Sequence, residues 1–228
     1  AALLLTVGLF AETIPATDSR ITFVGRTAVD GTSVSFDWTA TYFRIAFSGQ
    51  SLTMKASDTQ RNYYNVWIDS PTSAEPHRVI AVAGTDTVIE LVDPAYLKKS
   101  RRSVHEVIVQ KRTEGEQGTT TIHEFSASKG QFFPAMPLAE RQLEFIGDSY
   151  TCGYGIDAKS RLEKFTPETE NASCSYAAIV SRYFGADYIA IAHSGMGIAR
   201  NYNSKFKNWW MPDRYLQTFD MDSTQATR

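Results

Sequence analysis

Residues 144–155 carry the residue types that could form a nucleophilic site. They read Glu-Phe-Ile-Gly-Asp-Ser-Tyr-Thr-Cys-Gly-Tyr-Gly, so an apolar strand runs into a Gly-Asp-Ser turn followed by more glycines. A serine hydroxyl is a weak nucleophile unless the chain exposes it near a base and near N–H groups that stabilise an oxyanion. Gly147 permits the tight turn, and Asp148 can accept hydrogen bonds from backbone donors that fix it. The pattern indicates Ser149 as the catalytic nucleophile and Asp148 as its turn support.

A second segment of the same kind follows downstream. An apolar strand at residues 186–192 runs into the loop of residues 193–202, which reads His-Ser-Gly-Met-Gly-Ile-Ala-Arg-Asn-Tyr. A plain strand-to-loop turn with two glycines has the same appearance, so this loop alone does not indicate chemistry. Ser149 and Gly195 both lie just past the end of a predicted strand, and ligands bind at that edge of open α/β sheets. The two segments together therefore predict one site.

The Gly-Asp-Ser motif resembles the first signature block of the GDSL/SGNH hydrolases. The longer run Ile-Gly-Asp-Ser-Tyr-Thr-Cys-Gly-Tyr-Gly looks like carbohydrate esterase family 2, whose members remove acetyl groups from plant polysaccharides. The loop at residues 193–202 resembles the second block of that family. The resemblance implies that the backbone N–H groups of Ser149 and Gly195 form an oxyanion hole, and it extends from near Ile21 to near Tyr215.

Two parts of the family pattern do not occur in the sequence. The family also has a Gly-x-Asn-Asp block, and a late histidine after Asp-x-x that acts as general base; the sequence has neither. We therefore expect a chain that is cut short at its C-terminal end and nearly inactive as it stands. Of the four histidines, His193 is a candidate substitute base, or alternatively a loop residue that packs beside Gly195. We expect His77, His105 and His123 to be ordinary residues of the fold.

The N-terminal segment resembles part of an export signal. Residues 1–11 read as the apolar part of a secretory signal whose charged beginning is missing, and they are too short to span a bilayer. A buried N-terminal strand or helix is the alternative. We interpret residues 1–19 as a residual leader and expect a secreted or periplasmic protein, which suits an enzyme whose polymeric substrate cannot enter a cell.

Composition excludes several function classes. Of the 228 residues, 43% are hydrophobic and 21% are charged, as in ordinary soluble globular proteins. A net charge of −2 gives no electrostatic reason to expect a nucleic-acid or membrane partner. No Cys-x-x-Cys and no histidine pair at ligand spacing occurs, so we expect no metal and no cofactor. Cys152 and Cys174 could pair in an oxidising compartment, and their pairing stays open.

Hydrophobic residues alternate with polar residues from about position 20 to position 128. The alternating sets are Val34, Phe36 and Trp38; Phe43, Ile45 and Phe47; and Tyr64, Val66 and Ile68. Many short strands separated by turn residues predict an all-β sandwich at residues 20–137. This half resembles the jelly-roll domain that precedes the catalytic domain in carbohydrate esterase family 2.

Two prolines within residues 132–137 predict an extended connector and a domain boundary. The second domain, residues 138–228, begins with a strand at residues 143–146. Tyr176, Ile179, Val180 and Tyr183 then lie on one face of a predicted helix, which Ser173 could cap and Gly185 could end. Strand, helix and strand predict the first part of a flavodoxin-like parallel α/β sheet, here an incomplete SGNH-hydrolase domain.

These observations predict a carbohydrate acetyl esterase in which Ser149 attacks the acetyl groups of xylan or a related polysaccharide. Its partner would be an acetylated polysaccharide or oligosaccharide. One alternative is a non-catalytic carbohydrate-binding module, in which the second domain is a relic. The other is a lipid or thioester hydrolase of the wider GDSL group, which fits Ser149 but leaves the family-like sandwich unexplained.

Overall fold

The computed structural model describes residues 11–204 and 209–222. Most of the expected leader, residues 1–10, lies outside the described residues. Residues 12–15 fell within the leader segment 1–19, but they form a strand of the main sheet, and Ile14 is buried in its core. The folded region therefore begins before residue 20. No helix within the described ranges is long and apolar enough to cross a membrane.

Ten strands of the described chain form one antiparallel sheet. They are β1 (Glu12–Pro15), β2 (Thr22–Val24), β3 (Ala28–Asp30), β4 (Ser33–Phe36), β5 (Tyr42–Phe47), β6 (Ser51–Ile68), β7 (Arg78–Val92), β8 (His105–Lys111), β9 (Thr120–Ser128) and β10 (Phe132–Phe133). Their order is β10-β5-β8-β6-β9-β4-β3, with β1 beside β9, β2 beside β5 and β7 beside β6. A short helix, α1 (Pro94–Lys99), joins β7 to β8.

The long strand β6 makes the sheet curl. Its first part, residues 51–58, pairs with β9, whereas residues 64–68 pair with β8. The register with β7 shifts between Ala56 and Arg61, and such irregularities bend a strand and increase its twist. The sheet closes around one apolar core, in which the inward residues alternate as the sequence predicts. The prediction of an all-β first unit is thus confirmed as a curled antiparallel sheet.

The second unit begins with two parallel strands, β11 (Gln142–Gly147) and β12 (Asp187–Ala192). Gln142 pairs with Asp187 and Gly147 with Ala192, so both strands end at the same edge. Three short helices complete the unit: α2 (Ser149–Cys152), α3 (Tyr176–Tyr183) and α4 (Met211–Arg214). Within the described residues this strand pair is the extent of the parallel sheet, so the larger flavodoxin-like sheet stays a prediction.

The apolar residues that the helical spacing placed on one face of α3 do not form its buried face. Ala177, Ala178 and Ser181 are buried, whereas Tyr183 is 83% exposed and Ile179 is 55% exposed. Small side chains allow the helix to lie close to its neighbours, and Ala177 and Ala178 pack in one cluster with Tyr42 and Tyr188. The N-cap is Ser175 rather than Ser173. Gly185 follows the helix with a φ of +58°, in the left-handed conformation that a helix stop requires.

An apolar seam joins the two units. Its members are Val24, Ala40 and Tyr42 of the sheet domain, and Ala172, Ala177, Ala178, Tyr188 and Ala190 of the second unit. At its margin Asp187 accepts a hydrogen bond from the Tyr42 hydroxyl at 2.6 Å and forms an ion pair with Arg44. Burial and the Asp187 carboxylate raise the pKa of Tyr42, which keeps its hydroxyl a donor. The sheet domain therefore forms part of the support of β12.

Candidate active site

Ser149 lies at the junction between β11 and α2, immediately past the end of the parallel strand pair. Its side chain is partly exposed, and neighbouring Tyr150 is 82% exposed. Its hydroxyl forms no hydrogen bond within residues 11–204 and 209–222. A hydroxyl that is accessible and unengaged is available to a substrate and to a general base.

The turn before Ser149 is held by Gly147 and Asp148. A Cβ atom on Gly147 would lie 2.0 Å from the Thr151 hydroxyl oxygen, so a larger residue does not fit. The Asp148 carboxylate accepts a hydrogen bond from the Tyr150 N–H at 3.1 Å. Its carbonyl accepts from the Thr151 N–H at 2.9 Å and the Cys152 N–H at 3.1 Å. The geometry agrees with the supporting role proposed for Asp148.

The loop that follows β12 leaves from the same edge of the strand pair. The His193 N–H donates to the Gly147 carbonyl at 3.4 Å, which joins the two loops at their bases. Gly195 has a φ of +77°, a left-handed conformation that favours glycine. Neither the Ser149 amide nor the Gly195 amide donates a hydrogen bond within the described part of the chain. Two unengaged N–H groups beside a serine could stabilise an oxyanion.

His193 is committed to a different partner. Its ring is buried, and its Nδ1 lies 2.6 Å from Asp220 Oδ2, while Oδ1 of the same carboxylate pairs with Arg214. Burial lowers the pKa of His193, but the hydrogen bond and charge of Asp220 outweigh burial and raise it overall. A carboxylate on Nδ1 can orient a general base, but the Nε2 atom of His193 makes no hydrogen bond to the Ser149 hydroxyl within the described residues. This geometry favours the alternative role, a loop residue that packs beside Gly195.

A buried carboxyl pair lies beneath both loops. Glu114 follows β8, and Glu170 lies between the Ser149 turn and α3; both are fully buried. Glu114 Oε2 accepts a hydrogen bond from the Ser194 N–H at 2.6 Å, and Cys152 Sγ donates to the same oxygen at 3.6 Å. Glu170 Oε2 accepts from the Glu114 N–H at 3.1 Å. The sequence analysis missed both carboxyl groups.

Glu114, Cys152 and Glu170 also have the chemistry of metal ligands, and one ligand atom of each lies within 4.8 Å of the others. Burial raises the pKa of the Cys152 thiol, and burial together with Glu114 raises the pKa of Glu170 to about 8. Both groups are therefore protonated near pH 7. Burial lowers the pKa of Lys111, which lies nearby. A metal needs deprotonated ligands, so these three side chains suit a hydrogen-bond network better than a metal site.

Glu170 makes the stability of the fold depend on pH. A carboxyl group whose pKa is raised in the folded state contributes stability below its unfolded value near 4.5 and loses it as pH rises through about 8. We expect the free energy of unfolding to fall with pH by up to about 1.4 kcal/mol per unit from this group. Glu170→Gln replaces the carboxyl group with an amide that is neutral at every pH. The free energy of unfolding of this variant should therefore depend less on pH than that of the wild type.

Urea unfolding from pH 6.5 to pH 8.5, performed on both proteins, measures this difference. Asp37, whose pKa burial raises to about 6, titrates mostly below that window, and Asp37 and His193 are present in both proteins. Because the charge of Glu170 also raises the pKa of Lys111, the difference in slope reports Glu170 together with its interaction with Lys111. The exposed Glu140→Gln is the matched control and should keep the wild-type slope. Equal slopes in the wild type and Glu170→Gln would contradict the assignment.

Cys152 and Cys174 are unpaired in the structure, the first buried and the second exposed. His105 Nδ1 donates a hydrogen bond to an Asp69 carboxylate oxygen at 2.7 Å, and the two ring nitrogens of His123 form hydrogen bonds with the hydroxyls of Ser33 and Ser57. These histidines are ordinary residues of the sheet domain, as expected from the sequence.

The sequence and fold resemble those of known proteins over most of the chain. The carbohydrate esterase 2 N-terminal family matches residues 23–137. This chain belongs to family two of the carbohydrate esterases. The acetylxylan esterase / glucomannan deacetylase of Cellvibrio japonicus is 34% identical over 173 residues, which cover 75% of this chain and 45% of that protein. The cellulase/esterase CelE of Acetivibrio thermocellus is 31% identical over 165 residues, 72% of this chain and 19% of that protein.

Solved structures of family two carbohydrate esterases have the same fold. One from Clostridium thermocellum, in complex with cellohexaose, superimposes with a TM-score of 0.80 at 29% identity and covers 89% of this chain and 60% of that chain. Another from Cellvibrio japonicus gives a TM-score of 0.79 at 25% identity, covering 91% of this chain and 60% of that chain. The present chain spans less than half the length of the two curated relatives described above.

Proposed function

We propose that this chain is part of a carbohydrate acetyl esterase in which Ser149 is the nucleophile. The observation that carries the proposal is the shared edge of β11 and β12, from which the Ser149 loop and the Gly195 loop both leave, with the Ser149 hydroxyl and both amides making no hydrogen bond within the described residues. Membership of family two supports an ester substrate on a carbohydrate, because two relatives are named as acetylxylan esterases.

The reaction follows from this arrangement. The Ser149 hydroxyl attacks the acetyl carbonyl, and the N–H groups of Ser149 and Gly195 hold the resulting oxyanion. The sugar oxygen leaves with a proton, and water then hydrolyses the acetyl-serine. A general base must accept the Ser149 proton, and no hydrogen bond joins His193 to the Ser149 hydroxyl within the described residues. We propose that the base is a histidine in the part of the family pattern that this chain does not match.

The exposed apolar surface of the second unit supports an SGNH-type α/β domain larger than the described strand pair. Ile146 on β11 is 50% exposed, and the outer face of α3 carries exposed Ile179 and Tyr183. Apolar surfaces on a sheet and a neighbouring helix are normally covered by further elements. We propose a boundary near residue 137 between a jelly-roll sheet domain and this catalytic domain, in a protein exported from the cell.

The acyl preference tests the substrate class. The protein expressed from its whole reading frame should hydrolyse aryl acetates and lose rate on longer acyl chains, because a pocket that fits acetyl excludes added methylenes. We expect a fall of about tenfold or more from acetate to butyrate in kcat/KM. Measurement with p-nitrophenyl acetate, butyrate and octanoate decides the point. A rate that rises with chain length would favour the lipid or thioester hydrolase.

A non-catalytic binding role is the second candidate. The Clostridium thermocellum relative was solved with cellohexaose bound, which shows that a family two esterase can hold a glucan chain. Calorimetric titration of cello-oligosaccharides and acetylated xylan into the protein tests this role. Tight binding with no acetyl release that depends on Ser149 would favour binding over catalysis.

A further inference from the structure

One buried carboxylate of the sheet domain contacts both loops of the candidate active site. Glu114 Oε2 accepts a hydrogen bond from the Ser194 N–H, at 2.6 Å, and from Cys152 Sγ, at 3.6 Å. Ser194 directly precedes Gly195, and Cys152 ends the helix that begins at Ser149. A single oxygen atom therefore links the nucleophile helix to the oxyanion loop.

Glu114 is itself held firmly in place. Its backbone N–H donates to Glu170 Oε2 at 3.1 Å, and its carbonyl accepts from Lys111 Nζ at 2.9 Å. Behind it, Gly115 packs so closely on Asp220 that an added Cβ would lie 2.5 Å from a carboxylate oxygen. The backbone of Glu114 is thus fixed by partners on β8 and on the second unit.

Other ionisable side chains surround Glu114. Burial and the neighbouring Glu114 raise the pKa of Glu170 to about 8, so Glu170 is mainly a neutral acid near pH 7. Lys111, at the end of β8, is fully buried, and burial lowers its pKa. Burial raises the pKa of the Cys152 thiol, which therefore remains a hydrogen-bond donor to Glu114 Oε2. The contacts of Glu114 Oε2 are thus to two donors, one in each loop of the site.

We propose that Glu114 is a positioning residue that fixes the separation of the Ser149 hydroxyl and the Gly195 N–H. In this assignment the sheet domain completes the oxyanion hole of the second unit. Glu114 does not touch the substrate; it acts through the Ser194 amide and the Cys152 thiol. The catalytic consequence rests on the proposed esterase function, whereas the hydrogen bond to the Ser194 amide does not.

Amide hydrogen exchange tests the structural step without any need for activity. In Glu114→Ala, exchange of the Ser194 amide should accelerate by about 100-fold or more, because a strong hydrogen bond is lost. Amides of the sheet core should keep their wild-type rates. Glu114→Gln keeps an acceptor oxygen and should restore most of the protection. The exposed Glu116→Ala is the matched control and should change neither.

The catalytic step is tested by measuring kcat and KM of the protein expressed from its whole reading frame. Loss of one oxyanion donor costs roughly 10²–10³ in kcat, so a misplaced Gly195 amide in Glu114→Ala should lower kcat on aryl acetate by about 100-fold with KM little changed. Glu114→Gln should recover kcat to within about tenfold of the wild type. Absence of any Ser149-dependent turnover in the wild type would defeat the esterase proposal and leave the exchange result to decide the positioning role.

Two outcomes would overturn the positioning role. The first is wild-type exchange at Ser194 in Glu114→Ala. The second is uniformly faster exchange across the sheet core together with an unchanged kcat, which would show a purely structural residue. If Glu114→Ala does not fold, amide exchange and kcat measured on Glu114→Gln test the positioning role instead. In Glu114→Gln, a partial loss of protection confined to residues 193–197 would support the proposal, and full wild-type protection there together with a kcat lowered by more than about tenfold would contradict it.

Discussion

Replacement of Ser149 by alanine is expected to lower kcat for acetyl ester hydrolysis by roughly 10⁴-fold to 10⁶-fold, because no other group can form the acetyl intermediate. The experiment compares p-nitrophenyl acetate and acetylated xylan turnover by the protein expressed from its whole reading frame. Stability should not change, because the Ser149 hydroxyl makes no hydrogen bond within the described residues. An unchanged unfolding midpoint would therefore separate lost chemistry from lost fold.

The 228-residue chain supplies a second comparison. It contains the proposed nucleophile and oxyanion amides, but its one histidine near the site, His193, makes no hydrogen bond to the Ser149 hydroxyl within the described residues. Residues that act as one catalytic unit are strongly non-additive, so the 228-residue chain should turn over acetyl esters hardly faster than its Ser149→Ala variant. The exposed Ser103→Ala is the matched control. Robust turnover by the 228-residue chain that disappears in Ser149→Ala would contradict the need for a further base.

Local patterns were sufficient to predict the elements that carry Ser149 and Gly195. Each residue follows an apolar strand, and strand ends can be read from the change to glycine and polar residues. Alternation likewise predicted the inward residues of the sheet domain, such as Phe43 and Val66, because the side-chain period of a strand is fixed by its geometry. These signals need no knowledge of which segments are neighbours in space.

The buried charges could not be predicted in this way. Lys111 ends β8, and Arg112 and Glu114 follow it; the sequence pattern gives no sign that they are buried, since charged residues are normally exposed. They are buried because a second unit, joined through the seam, covers them. The prediction of which face of α3 is buried failed for the same reason. The alanines of α3 pack in that seam, whereas its larger apolar residues face outward. Contacts between distant segments decide both features.

Arg112 joins the two units through a buried hydrogen-bond network. Its guanidinium donates to the Asn65 side chain at 2.9 Å and to the carbonyls of Glu168 and Glu170, each at 3.1 Å. It also forms an ion pair with Asp157 at 2.5 Å. Removing one partner of such a network leaves the remaining buried polar groups without partners. We expect Arg112→Ala to lower the free energy of unfolding by about 3–5 kcal/mol.

Arg112→Lys distinguishes the geometry of the network from its charge. A lysine has one ammonium in place of a planar fork, so it cannot reach Asn65, Asp157 and the two carbonyls together, and most of the loss should remain. The exposed Arg101→Ala is the control and should change stability by less than about 0.5 kcal/mol. Urea unfolding measures all three variants. A loss below about 1 kcal/mol in Arg112→Ala would show that the apolar seam alone holds the units together, because a buried network of this kind costs several times more to break.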